Sequence, residues 1–149
     1  MDSGKILVAQ SLGIYIVKFV GDVRLSLCST LDQYTNKMFE DDGFKTVIID
    51  LTETKCIDST SLGQLAKISI LYKEKYDQLP TIVSTEEDIN RILMSMGFNK
   101  VFHIVHEMEP RVDNLDELPL EMVDEQEMKH QVLQAHKLLM DMNQNNRAA

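Results

Sequence analysis

An acid followed by three adjacent hydroxyls stands in the run Ile57-Asp58-Ser59-Thr60-Ser61-Leu62-Gly63. Apolar residues continue after it at helical spacing: Leu62, Leu65, Ile68 and Tyr72. The hydroxyls therefore fall in the first turn of a helix expected to run to about Tyr76. That first turn holds unpaired backbone N–H groups and the positive end of the helix dipole. A phosphate ester on one of these hydroxyls is well placed there. It would also add negative charge beside Asp58, and so repel a partner that docks on this surface. The plainer role for the same residues is an N-cap, with Asp58 or Ser59 satisfying the orphan N–H groups and nothing more.

Elsewhere the chain offers little chemistry. There is no glycine-rich dinucleotide loop after a strand, no P-loop and no G-x-S-x-G elbow. His103 and His106 read as part of a strand, and His130 and His136 lie far along the chain, so no metal site or catalytic residue is assigned. Cys28 and Cys56 lack metal-ligand spacing and read as buried free thiols of a reducing compartment. No cofactor is implied, and the expectation is a protein that is not an enzyme.

The elements that must position the run can be read from periodicity. In a chain of 149 residues, Lys5–Gln10 and the β-branched Ile14–Val20 form a hairpin turned at Gly13 and closed by Gly21-Asp22. Ser29 or Thr30 caps a helix reaching about Glu40, which Asp41-Asp42-Gly43 ends. The continuous apolar run Thr46–Leu51 suits a strand buried on both faces, and a loop then leads to Ile57. Pro80–Ser84 is a strand, Ser84-Thr85-Glu86-Glu87-Asp88 starts a helix that stops at Gly97, and Val101–Val105 is the last strand. Alternating strands and helices specify an α/β fold: an open sheet, mostly parallel after the N-terminal hairpin, with helices packed on it.

Charge divides the chain. Residues 1–106 carry 14 acids and 11 bases, whereas residues 107–149 carry 10 acids and 4 bases. The expected organisation is a compact domain over 1–106 and an acidic extension over 107–149. Within the extension Leu115–Pro119 reads as irregular. A helix is expected at about 123–143, with a heptad-like seam of Met128, Val132, Ala135, Leu139 and Met142. Docking of that helix on its own domain, a homodimer contact and a partner-binding helix all remain open. The net charge of −9 argues against nucleic acid and anionic membranes as partners. No apolar run spans a bilayer, and Met1–Lys5 lacks the basic start of a signal peptide, so a cytoplasmic location is expected.

The run Asp58-Ser59-Thr60-Ser61-Leu62-Gly63, the preceding Val47-Ile48-Ile49-Asp50-Leu51 and the stretch Thr85–Phe98 resemble the STAS domain, and more closely the bacterial anti-sigma-factor antagonists, over about residues 4–106. The resemblance implies a STAS-type fold and a non-enzymatic regulator of a partner-switching pathway. Unphosphorylated, such a protein binds an anti-sigma factor or serine kinase. Phosphorylation of the hydroxyl after the motif acid blocks binding, and a phosphatase restores it. Carried onto this chain, the phosphoacceptor is Ser59, with Thr60 and Ser61 as alternatives. The binding surface includes Asp58, Ser59, Thr60, Ser61, Gly63 and Arg24. Some relatives control biofilm formation or motility rather than a sigma factor directly. The chain departs from the pattern at Ser61, where the family has Gly, and at Arg24, where many relatives have an acid. The alternative is a STAS-like scaffold or oligomerisation module acting through its C-terminal helix.

Overall fold

A computed structural model describes residues 4–107, 116–118, 132–135 and 137–140. Strands β1 (Lys5–Ser11) and β2 (Ile14–Val23) form the expected antiparallel hairpin. Its tight turn places Leu12 and Gly13 at φ of 53° and 84°, a region that glycine enters without a Cβ penalty. β2 does not stop at Val20. Its pairing with β3 (Thr46–Ile57) shifts register between Lys18 and Val20 and again between Gly21 and Asp22. Gly21, at φ 80°, lets the strand bulge and continue instead of closing it.

That continuation explains a second departure. The stretch from Thr52 to Ile57, expected as a loop, is the second half of β3, because the prolonged β2 supplies its ladder partners through Val23↔Ile57. The remaining strands are β4 (Thr81–Val83) and β5 (His103–Val105), parallel to β3 and to each other. A short strand, β6 (Asp116–Glu117), pairs antiparallel with β1, where an irregular segment was expected. The sheet order among the described residues is β5-β4-β3-β2-β1-β6. The central pairings are parallel, as the alternation of strands and helices required.

Burial alternates along the strands, so one face of the sheet carries most of the core. Val47, Ile49 and Leu51 are fully buried, while Ile48 between them is half-buried, so β3 is not sealed equally on both faces. Helix α1 (Cys28–Glu40) follows a 3-10 turn at Leu25–Leu27 and starts without a side-chain cap. Ser29 and Thr30, expected as caps, lie buried inside its first turn. Helix α2 (Ser59–Tyr76) and helix α3 (Glu87–Ser95) complete the layer. Met96 and Gly97, the latter at φ 79°, end α3 as the sequence indicated.

One end of the core is aromatic. Tyr15, Phe39, Phe44, Tyr72 and Tyr76 pack ring against ring with centroids 5.0–5.9 Å apart. Tyr15 and Tyr72 belong to the start of β2 and the last turns of α2. This cluster therefore anchors the end of α2 remote from Asp58. Position 58, where β3 gives way to α2, lies at the opposite end of both elements.

Candidate functional site

Asp58 is the junction of the site. Its backbone N–H donates to the Val23 carbonyl (3.0 Å), which ties the end of β3 to the end of β2. Its carboxylate accepts from two backbone N–H groups. Oδ1 takes the bond from Ser61 (2.8 Å) and caps α2. Oδ2 takes the bond from Leu25 (2.8 Å) and holds the turn between β2 and α1. A charged acceptor bridging two backbone segments makes stronger hydrogen bonds than a neutral one. The N-cap role read from the sequence is therefore real, and it belongs to Asp58, which carries a second function as a clamp between two loops.

The three hydroxyls after Asp58 have different surroundings. Ser59, the first residue of α2, is exposed. Thr60 and Ser61 are buried, at 4% and 2% relative exposure. Ser61 Oγ lies 3.7 Å from Cys28 Sγ on α1. Burial pushes the Cys28 thiol up to about 12, so it stays protonated at neutral pH. Ser61 thus occupies, without strain, the position at which the family pattern has glycine. It sits in the first turn of α2 and its hydroxyl faces Cys28 on α1. Cys56 is exposed at the end of β3, contrary to the expectation of two buried thiols, because its side chain falls on the strand's open face.

Arg24 lies on the surface next to this junction, with its guanidinium 3.5 Å from Asp22. The structure therefore brings Arg24, Asp58 and the start of α2 to one end of the molecule. Between α1 and α2, Lys67 pairs with Asp32 at 2.5 Å. His106 Nδ1 meets the Ser84 carbonyl at 3.1 Å. Among the described residues, no cluster of three or more His, Cys, Asp or Glu side chains has the geometry of a metal site.

Two features of the site escaped the sequence reading. The first is an open polar groove of about 870 Å³ lined by Lys5, Glu53, Lys55, Glu86 and Asp88. Its charges are of both signs, a pattern that spacing along the chain does not reveal. The second is the seat of the C-terminal segment: docking on its own domain was one of the sequence expectations, but its position on Gly63 was not. A Cβ at this position would meet the Ala135 Cα at 2.5 Å and its carbonyl oxygen at 2.7 Å. The C-terminal segment, helical at 132–135 and 137–140, lies directly on α2. The available signal was a pair of small residues, Gly63 and the Ala135 of the heptad-like seam. Ala135 and Leu139 of that seam are buried, and Val132 is half-buried. Met128 and Met142 lie outside the described residues, as does the rest of the helix expected over 123–143.

The STAS domain family matches residues 5–115. With its β3–α2 junction and mixed sheet, the chain belongs to the STAS domain family. Among solved structures it is similar to the crystal structure of an anti-sigma factor antagonist from Mycobacterium paratuberculosis, with a TM-score of 0.60 and 21% identity. That similarity covers 72% of this chain and 89% of the other. No curated protein sequence matches the chain. Among the described residues, no helix is long and apolar enough to cross a membrane.

Proposed function

We propose that this STAS protein is a non-enzymatic, cytoplasmic partner-switching regulator whose unphosphorylated form binds an anti-sigma factor or a serine kinase. Phosphorylation of Ser59 blocks that binding, and a phosphatase reverses it. One observation carries the reading: of the three hydroxyls at the start of α2, only Ser59 is exposed, while Thr60 and Ser61 are buried. A kinase must reach the acceptor oxygen, so Thr60 and Ser61 are the poorer substrates. A phosphate on Ser59 meets the positive end of an 18-residue helix and stands next in sequence to the Asp58 carboxylate. It adds negative charge to the surface that a partner meets. Arg24 supplies the positive charge on the same surface and is the residue most suited to choose among partners.

Cleavage after Lys55 and Lys67 isolates residues 56–67 as one tryptic peptide. Mass spectrometry of protein from its native cells should find partial phosphate on Ser59. Affinity capture should then recover a partner with Ser59→Ala and lose it with Ser59→Asp. Equal recovery with both variants, together with an unmodified peptide across growth conditions, overturns the proposal.

The scaffold reading keeps less of its support. Of the apolar seam that a dimer would use, Ala135 and Leu139 are buried within the chain itself and Val132 is half-buried.

A further inference from the structure

Arg24 is bracketed by two hydrogen bonds to a single residue. The Val23 carbonyl before it accepts from the Asp58 N–H (3.0 Å), and the Leu25 N–H after it donates to Asp58 Oδ2 (2.8 Å). The backbone of Arg24 therefore runs along Asp58, whose next neighbour in the chain is Ser59. With standard bond lengths, the first of these bonds alone keeps the Arg24 and Ser59 Cα atoms within about 11 Å of each other. An extended arginine and a phosphoserine together bridge such a gap. Arg24 and Ser59 are both exposed, so neither side chain is committed to the core.

The guanidinium of Arg24 is loosely held. It lies 3.5 Å from Asp22, with the Arg24 side chain 69% exposed and that of Asp22 30% exposed. A surface pair of this kind is screened by water and exchanges readily. The other charges at this end are engaged. The two Asp58 oxygens accept from the backbone N–H groups of Ser61 and Leu25. Lys67, the first cation along α2, is paired with Asp32 of α1. Lys55 lines the mixed-charge groove with Glu53, Glu86 and Asp88. Arg24 is the cation that an anion at position 59 recruits with least rearrangement. A guanidinium gives phosphate oxygens paired, charge-assisted hydrogen bonds, which a single carboxylate contact at 3.5 Å does not match.

We propose that Arg24 is the internal receiver of a phosphate on Ser59, its guanidinium exchanging Asp22 for the phosphate. The inference rests on the proposed function, which makes Ser59 the acceptor. Modification then changes the docking surface twice. It adds an anion, and it withdraws the cation that the unmodified surface offers to an acidic partner. The two bonds to Asp58 set where the backbone of Arg24 stands, so only the side chain has to move.

The test uses the full chain with phosphoserine installed at position 59 by genetic encoding, independently of any native kinase. Phosphorus NMR follows the second ionisation of the phosphate. A guanidinium in contact favours the dianion, so Arg24→Ala should move the midpoint to a pH higher by about 0.5 or more, an acidity about threefold weaker. Lys75→Ala removes a cation from the last turn of α2 and should leave the midpoint in place. Equal midpoints with and without Arg24, or an equal displacement by Lys75→Ala, overturn the proposal.

Labelling with phenylglyoxal, which attacks arginine, checks the contact itself. Mass mapping should find Arg24 labelled at least about fivefold more slowly in the phosphorylated chain than in the unphosphorylated one, with Arg91 of α3 as the internal reference. Equal rates also overturn the proposal. If Ser59 carries phosphate in native cells and Arg24 fails either measurement, the proposed function stands and this inference alone falls. If native Ser59 is never modified, the proposed function falls, and the two measurements still decide whether Arg24 receives the phosphate.

Discussion

Two helices of this protein begin with similar words and are built differently. α2 starts after Ile57-Asp58-Ser59-Thr60-Ser61, and α3 after Ser84-Thr85-Glu86-Glu87-Asp88. Both runs offer hydroxyls and acids to an exposed helix start. At α2 the Asp58 carboxylate caps the helix and also holds the Leu25 N–H of the neighbouring turn. At α3 the N-cap is Glu86, with no side-chain hydrogen bond. Ser84 is fully buried, and its hydroxyl has no hydrogen-bond partner among the described residues. The lesson is that a capping word in a sequence marks where a helix begins. What the start holds together depends on which loops arrive beside it. β2 and the turn into α1 arrive at α2, so its N-terminus is a three-element joint. No described loop places its N–H groups on the α3 acids, which leaves that start as a local feature.

This contrast can be broken by mutation. The largest expected effect is on thiol chemistry at the α2 joint. Cys28, held against Ser61, should react with a maleimide or disulfide reagent at pH 8 at least about a hundredfold more slowly than exposed Cys56, since only the thiolate attacks. Equal rates would show that the joint between α1 and α2 opens readily. Asp58→Ala should follow, with a loss of roughly 2 kcal/mol in urea unfolding, because it removes a cap and a second charged hydrogen bond together. A loss no larger than that of an ordinary cap would remove the clamp role from Asp58.

The corresponding changes at α3 should be smaller or opposite in sign. Glu86→Asp supplies the short carboxylate that a cap requires and should stabilise by about 0.5–1 kcal/mol. Ser84→Ala removes a buried hydroxyl without a partner and should change stability by less than about 0.5 kcal/mol. A large loss in Ser84→Ala would mean that its hydroxyl is satisfied after all.

A third helix boundary sharpens the comparison through pH. Asp41, at the C-terminal end of α1, accepts from the Tyr15 hydroxyl and from the Gly43 N–H, and these bonds hold its carboxyl below the ordinary value of 3.8. A lowered folded-state value stabilises the fold at pH above 3.8, and that contribution is lost as pH falls through the folded value. The deficit of Tyr15→Phe against the wild type in thermal unfolding should therefore be full near neutrality and shrink in acid. A deficit independent of pH down to the acid limb would assign the Tyr15 contribution to ring packing alone.

Much of the fold was legible along the chain. The hairpin, the order of strands and helices, the stop at Gly97 and the start of α2 at Ser59 all follow from short-range patterns. Gly21 misled the reading because a glycine that ends a strand and one that bulges it look alike in sequence. The length of β3 misled it because Thr52-Glu53-Thr54-Lys55-Cys56 is polar, and only pairing with β2 makes it a strand. Asp116–Glu117 was missed for the same reason, since a two-residue strand exists only through the free edge of β1.

The candidate site divides along the same line. Composition and spacing alone determined that Asp58 and three hydroxyls open a helix after a buried strand, because capping and helical periodicity act within one turn of chain. Tertiary structure decided the rest. It left Ser59 exposed and buried its two neighbours, carried the Asp58 carboxylate to Leu25, and laid Ala135 on Gly63. These are contacts between residues 33 to 72 positions apart. Their physical cause is the packing of whole elements, in which a hydroxyl is hidden or a glycine required by what the fold brings to it from elsewhere in the chain.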